Sequence, residues 1–362
     1  MSMTDTVVGQ LPGGTKVVAA SLRTGQRLLT TPDEFVNSQS RFDRQSRVNL
    51  AYDVVEVTQA IYLDYVSSQV MDWSDEEKAS LKTILESVAG KFAVLSFTLP
   101  ETVYLVKTSG QEEGYAAYTR AKNVITLPAN MVASLETSAN YGDPLHPAND
   151  VTYLENVVIH ECFHIFSKNN PTRRDALYAL VNYHPTGNEV ELPAIPWGPK
   201  GSGWTMRDFK ITNPDAPKLD VYIEMVVPLM PGKKSGTLVK RPLLPLLLAN
   251  GLYAGGLFFS YLQWLFMVIE QDSQGRWIPT MTSANQPILY QSSDKKLMAQ
   301  YFELIGRNIT GEIFHPDEII AQNFVLVANE PSLTLLSEIN TVLSHDSESG
   351  SPPNNSSKKR AR

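Results

Sequence analysis

The 362-residue sequence contains very little cysteine and has no excess of basic charge. Cys162 is its only cysteine, so the chain cannot form an intramolecular disulfide. Its 31 basic and 38 acidic residues give a formal net charge of −7, and its pI is near 5.5. A nucleic-acid-binding protein needs a concentrated basic surface, so this composition argues against nucleic acid as the partner.

The N-terminal sequence also lacks the features of a secretory signal. Residues 1–11 have no basic stretch followed by an apolar one. Together with the single cysteine, this predicts an intracellular, cytoplasmic protein. The last residues, 358–362, are basic and suggest an alternative nuclear localisation. They end a tail rich in Ser, Asn and Pro that we expect to be disordered.

One stretch without charged residues, 242–269, is long enough to span a bilayer. It is interrupted by Pro242, Pro245 and several glycines, and it has no flanking polybasic loops. We therefore predict a buried helix followed by a strand in this stretch, and no membrane partner. Residues 261–279 run from apolar to turn-forming to aromatic, which predicts a β-hairpin.

Apolar periodicity and capping residues along the rest of the chain predict an α+β fold. Ser74 and Glu77 form a capping box that should start one of the helices. The other helices are expected at 49–71, 129–135, 171–183, 294–305 and 316–327, and the clearest strands at 102–106, 123–127 and 221–228. We divide the chain into an N-terminal extension (1–48), a catalytic region (49–340, possibly two lobes, 49–184 and 185–340) and the basic tail (341–362).

His160, Glu161 and His164 form an HExxH motif within an apolar helix. Residues four apart lie on nearly the same face of a helix, so both imidazoles can bind one zinc ion. Glu161 is rotated by about 100° from His160, close enough to accept a proton from an attacking water. Cys162 faces away from His160, and we predict that it is a small core residue.

A catalytic zinc site usually has three protein ligands, and no third histidine follows the motif closely. Glu318 is our first candidate because it lies at the start of a predicted helix that begins with Pro316. Gln322, one turn later, is suitably spaced to orient a ligand. Capping of its own helix is an alternative role for Glu318. Glu189, in an extended segment, is the second candidate for the third ligand.

The motif resembles that of the zincin metallopeptidases, and more specifically that of the glutamate-ligated, thermolysin-like branch. The resemblance rests on His160, Glu161 and His164, and extends to Glu318. Four further segments, 107–110, 118–120, 169–171 and 213–217, are similar to an uncharacterised family of bacterial-type zinc peptidases. The resemblance implies a zincin-like α+β fold, in which a small mixed or antiparallel sheet packs on a central HExxH helix and the remainder is mainly helical.

The same resemblance implies where a substrate would bind. In zincins an edge strand before the motif helix commonly binds an extended substrate, and residues 123–127 are in the corresponding place. A tyrosine or histidine often stabilises the oxyanion. The eligible residues in this sequence are Tyr253, Tyr261, Tyr290, Tyr301 and His184.

Three functions are therefore considered. The first is a zinc metallopeptidase acting on a peptide substrate. The second is a zinc-dependent tailoring enzyme acting on a small molecule, because the Pro- and Gly-rich stretch 185–217 could cover the cleft. The third is a non-catalytic zinc-binding interaction protein. Glu161 argues against the third, because a structural zinc site fills all four positions and needs no general base.

Overall fold

The fold was analysed in a computed structural model that describes residues 4–95, 97–133, 142–143, 146–147, 151–232, 237–306, 313–329 and 334–344. Within these ranges it is a mixed α+β fold, as predicted. Helices α1–α11 comprise, in order, Leu22–Thr30, Glu34–Ser38, Arg41–Arg47, Gln59–Gln69, Asp75–Phe92, Ala129–Ala133, Val151–Asn169, Pro171–Leu180, Lys295–Ile305, Pro316–Asn329 and Thr334–Ser344. Strands β1–β14 comprise Thr6–Leu11, Thr15–Ala19, Val70–Met71, Thr102–Thr108, Tyr118–Arg120, Val124–Pro128, Gly142–Asp143, His146–Pro147, Tyr183–Pro185, Val221–Pro228, Leu238–Ala249, Leu262–Gln271, Trp277–Pro279 and Leu289–Gln291.

Side-chain caps explain where several helices begin. The predicted capping box of α5 is confirmed: Ser74 Oγ accepts a hydrogen bond from Glu77 N at 3.1 Å, and Glu77 Oε2 accepts one from Ser74 N at 2.7 Å. The helix predicted over 49–71 is wrong in its first half, because α4 starts only after the N-cap Thr58. Asn49 lies in the left-handed region at φ 57°, which interrupts a right-handed helix at that point.

The first sheet is mixed and has the strand order β1-β2-β4-β6-β5, with β3 paired to β4. β2, β4 and β6 run parallel, whereas β1, β3 and β5 are antiparallel to their neighbours. The prediction that residues 123–127 form an edge strand is wrong, because β6 lies between β4 and β5. β5 is the strand at that edge of the sheet, and β1 is at the other.

The expectation of a mainly helical remainder is also wrong, because residues 183–291 form a second sheet. Its strand order is β13-β12-β11-β10-β9, with β14 also paired to β12, and all its described pairings are antiparallel. The stretch 242–269 lies on two long paired strands, β11 and β12, and not on a helix and a strand. The hairpin predicted over 261–279 is confirmed by the pairing of β12 with β13. No helix among the described residues is both long and apolar enough to cross a membrane.

The segment predicted as an N-terminal extension, 1–48, contributes β1, β2 and α1–α3. β2 pairs in parallel with β4 through the centre of the first sheet, so this segment is part of that sheet. The boundaries at 49 and at 184/185 stay predictions. Of the predicted tail, 341–362, the part from 345 onward lies outside the described residues.

Helix α7, which carries the HExxH motif, is buried between the first sheet and other helices. It contacts β5 and β6 on one side and α5, α8 and α10 on the others. Its apolar residues, including Leu154, Ile159, Phe163 and Phe166, are fully buried and belong to the largest core cluster. Cys162 belongs to the same cluster with 1% exposure, which confirms that it is a core residue.

Candidate metal centre

Helix α7 presents His160 and Glu161 to a large cavity, and His164 lies beneath them. The two imidazole rings are neighbours, with centroids 4.7 Å apart, as expected for helical residues four apart. The side chain of His160 is 15% exposed and that of His164 is fully buried. The motif therefore lies where the core meets the cavity.

Helix α10 packs against α7 and brings Glu318 to both histidines. Glu318 Oε2 lies 3.1 Å from His160 Nε2 and 3.3 Å from His164 Nε2. Ligand atoms about 2.05 Å from a tetrahedral zinc ion are about 3.3 Å from one another. The spacing of the three atoms therefore suits a single zinc ion held between them.

The two nitrogens of His164 have different environments. Nδ1 lies 2.6 Å from Asp317 Oδ2, and when Nδ1 donates this hydrogen bond a neutral ring presents the lone pair of Nε2 on its other side. Nε2 is buried and lies 3.3 Å from Glu318 Oε2, without a well-aligned hydrogen bond to any described residue. A buried polar atom without a partner is costly, and a metal ion at this position would satisfy it. The residues present thus fit a zinc ion.

Asp317 is held by further hydrogen bonds from the core. Its Oδ1 accepts hydrogen bonds from Ser167 Oγ at 2.5 Å and from Tyr178 OH at 2.6 Å. Burial disfavours charge here, but the hydrogen-bonding neighbours and His164 keep the pKa of Asp317 below its usual value. A carboxylate that orients a ligating histidine in this way fixes its tautomer and raises its basicity.

Glu318 is oriented by an amide from a loop. Asn213 Nδ2 donates to Glu318 Oε1 at 2.6 Å, which leaves Oε2 directed at the histidines. Asn213 Oδ1 in turn accepts a hydrogen bond from Asp215 N at 2.9 Å. Asp215 Oδ1 accepts one from Thr119 N on the edge strand β5 at 2.8 Å. We call residues 212–215 the support segment.

The support segment is also anchored to the N-terminal part of the chain. Thr212 donates to both carboxylate oxygens of Asp43, from its N at 3.0 Å and from its Oγ1 at 2.6 Å. Arg47 donates to Thr212 O at 2.9 Å, and its guanidinium is bound at 2.6–2.7 Å by Asp43 and Glu113. Asp43 and Arg47 belong to the segment 1–48 that the sequence predicted as an extension, so the position of Glu318 depends on that segment.

A second group of ligand-type atoms lies nearby. Atoms of Glu161, His164 and Asp215 are within 4.8 Å of one another, as are those of the first group. His164 belongs to both groups, and its Nδ1 is bound to Asp317. The first group contains two histidines and leaves Glu161 outside the ligand set, which is the arrangement that zinc hydrolysis requires.

The cavity above the centre has a volume of about 700 Å³. Its walls are mostly apolar and aromatic, and they include Met131, Val157, Leu247 and Phe259. Phe259 is 43% exposed at the mouth and packs on Gly114, where a Cβ would lie only 2.8 Å from its ring. Gly114 also has φ 60°, so a larger residue there would be strained and would push the aromatic wall away.

Several of the sequence candidates do not lie at this site. Glu189 lines a different cavity and is in neither group of ligand-type atoms. None of the five residues considered for oxyanion stabilisation lines the 700 Å³ cavity. Four of them are tyrosines whose hydroxyls donate hydrogen bonds to backbone oxygens elsewhere: Tyr253, Tyr261, Tyr290 and Tyr301. The fifth, His184, packs on Tyr222.

The cavity wall contains two other tyrosines, Tyr115 and Tyr153. Tyr153 precedes His160 by two helical turns, so the periodicity of α7 could have identified it. Asp317 could have been identified as the acidic neighbour of Glu318 at a buried helix start. Asn213 carries no comparable signal, because its contact with Glu318 joins residues 105 positions apart.

The chain was compared with models of known protein families, with curated proteins and with solved structures, and no match was found. The chemistry of this site must therefore be inferred from its own residues.

Proposed function

We propose that the protein is a zinc-dependent hydrolase, and that it cleaves peptide bonds. The observation that carries this proposal is the convergence of His160, His164 and Glu318 at 3.1 and 3.3 Å, with Glu161 beside them on the cavity wall. A bound zinc ion supplies Lewis acidity and brings the pKa of a coordinated water toward ~7.

The residues of this chain have distinct roles in the proposed reaction. His160, His164 and Glu318 hold the metal. Glu161 accepts a proton from the attacking water and returns it to the leaving amine. Asp317 keeps His164 in the tautomer that presents Nε2. Water attack on the carbonyl and protonation of the amine together break the C–N bond, with no other reactant needed.

A peptide is the substrate class that the cavity favours. Its volume is in the usual range for ligand sites, ~300–1,000 Å³. Residues 114–117, which lead into the edge strand β5, line one wall, so an extended chain could lie along them. The zincin resemblance implies pairing with an edge strand, but Thr119 N and Thr119 O in β5 already bind Asp215 and Lys168, so we place the substrate along residues 114–117.

Metal content is the first test. Purified protein should contain about one zinc ion per chain. His160→Ala should lose it, and Glu318→Ala should hold much less. Glu189→Ala is the matched control, because this glutamate lines another cavity, and it should retain the metal. Full occupancy in Glu318→Ala together with loss in Glu189→Ala would overturn the choice of ligand.

Activity is the second test. The wild type should cleave members of a peptide library, and Glu161→Gln should lose at least ~10²-fold in kcat while keeping its zinc. A wild type that holds zinc but cleaves no peptide would reject the peptidase. The small-molecule tailoring enzyme would then be favoured, since Ile211 and the support segment form part of the cavity wall and limit its size. Equal inactivity of wild type and Glu161→Gln in every assay would point to the interaction protein.

A further inference from the structure

Two lysines are buried in the described part of the chain, and only one of them forms a direct ion pair with a carboxylate. Lys107 and Lys210 are each 8% exposed. Lys107 Nζ donates to Glu77 Oε1 at 2.6 Å and to Asp72 O at 3.2 Å. No acceptor within the described residues lies at hydrogen-bonding distance from Lys210 Nζ. The carbon stem of Lys210 is covered, but its Nζ is not fully buried, so the ammonium opens into the adjoining space without a partner among the described residues.

Lys210 lines a cavity of about 790 Å³ that is separate from the metal centre. Burial lowers the pKa of Lys210, although the carboxylates of Asp43 and Glu189 oppose this effect. No described side chain pairs directly with this ammonium, so an anion entering the cavity would be attracted to it.

The other charges of this cavity largely neutralise one another at its rim. Lys218 Nζ lies 2.5 Å from Glu34 Oε1, and Arg207 lies 3.0 Å from Glu191 Oε2. All four of these side chains are more than 40% exposed. Glu189 is the remaining lining acid, and it is exposed. The deep part of the cavity is therefore positive, while its rim is neutral to acidic.

The rest of the lining is partly apolar. Val190, Leu192 and Leu219 lie on the wall beside the polar residues. A dianion would be repelled by Glu189, whereas a monoanion with a hydrocarbon body would match both the single ammonium and the aliphatic wall. We propose that this cavity binds a small carboxylate with an apolar body, and that Lys210 forms the ion pair with its carboxylate.

Hexanoate is a suitable probe, and hexanamide is its neutral analogue. Calorimetric titration of the full-length protein with hexanoate should give saturable binding. Affinity should fall by about tenfold or more for hexanamide, and by a similar factor for hexanoate binding to Lys210→Met. Lys240→Met is the matched control, because Lys240 is an exposed lysine paired with Glu224 outside this cavity, and it should bind hexanoate as the wild type does.

The proposal would be overturned by equal affinities for hexanoate and hexanamide, by unchanged binding in Lys210→Met, or by the absence of saturable binding to the wild type. Inorganic phosphate, a bare anion, should bind more weakly than hexanoate, and the reverse order would reject the carboxylate class. If Lys210→Met does not fold, Glu189→Gln provides an independent test. Removing this repulsive charge should strengthen hexanoate binding, and weaker binding would contradict the proposal. None of these measurements depends on the metal centre being catalytic.

Discussion

Two buried clusters of charged residues face the same 700 Å³ cavity, and they differ in how completely the protein satisfies them. In the first, the guanidinium of Arg47 donates to Asp43, Glu113 and Thr212 O, and it also lies 4.9 Å from the ring centre of Phe258. In the second, the histidines converge on Glu318. There, His164 Nε2 lacks a hydrogen-bond partner among the described residues.

The difference indicates what each cluster does. A buried ion pair whose hydrogen bonds are all made has no free donor or acceptor for a ligand, and it holds chain segments together. A buried cluster is suited to bind a metal ion when one of its polar atoms has no hydrogen-bond partner and its atoms have the spacing of zinc ligands. The support segment 212–215 connects the two clusters, because Thr212 is bound to the first and Asn213 to the second.

The largest effect is expected from breaking the complete cluster. Arg47→Leu leaves the carboxylates of Asp43 and Glu113 buried without their cation, which should lower the free energy of unfolding by about 3–5 kcal/mol. Urea denaturation of the metal-free protein measures this change. Lys240→Leu is the control, because it removes an exposed pair with Glu224 and should cost less than about 1 kcal/mol. Similar losses in both variants would mean that the cluster is not a structural anchor.

An intermediate effect is expected from removing the hydrogen bond by which the support segment connects the two clusters. Asn213→Ala removes the donor that orients Glu318, so zinc affinity should fall by about 10–100-fold. The metal-free protein should lose about 1–3 kcal/mol of unfolding free energy, less than in Arg47→Leu, because the buried carboxylate of Glu318 loses one donor. Competition with a chelator gives the zinc affinity.

Asn188→Ala is the matched control for this variant. Its amide is hydrogen-bonded to Trp277 on the second sheet, so its loss should leave zinc binding unchanged. Unaltered zinc affinity in Asn213→Ala, or an equal loss in both variants, would show that the support segment does not position the ligand.

Local signals account for the parts of the fold that the sequence predicts well. The capping box at Ser74 and the helix start at Pro316 depend on residues three or four positions apart. The N-terminal strands and the second sheet depend on pairing with distant segments, which periodicity does not report. Pro242 and Pro245 favoured an interrupted helix, yet they lie within β11, whose register is set by β10 and β12 on either side.

The same distinction applies to the site. The HExxH spacing on α7 is local, and so are the helix start at Pro316 and the spacing to Gln322 that rank Glu318 above Glu189. The partners that orient these residues come from elsewhere: Asp317 reaches His164 across 153 positions, and Asn213 reaches Glu318 across 105. Such contacts depend on how helices and loops pack, so a single sequence suggests candidate ligands more readily than the residues that orient them.

The smallest effect is expected at a third buried ion pair, Asp33 with Arg120, where pH can be used in place of a large substitution. Asp33 accepts hydrogen bonds from Arg120 Nε at 2.7 Å, Ala121 N at 2.8 Å and Val36 N at 3.0 Å. Burial tends to raise the pKa of Asp33, but Arg120 and the backbone donors outweigh it, so its pKa lies below the usual 3.8.

An acid whose pKa is lowered by folding stabilises the folded state above its unfolded pKa and loses that contribution as the pH falls through the folded value. Wild type should therefore exceed Asp33→Asn by about 1.5 kcal/mol in unfolding free energy at pH 6, because Arg120 loses a hydrogen bond to a charged acceptor. The difference should shrink as the pH falls below 3.8. Parallel urea titrations of both proteins across this pH range measure it. A difference that stays constant would mean that the ionised carboxylate of Asp33 is not what holds Arg120.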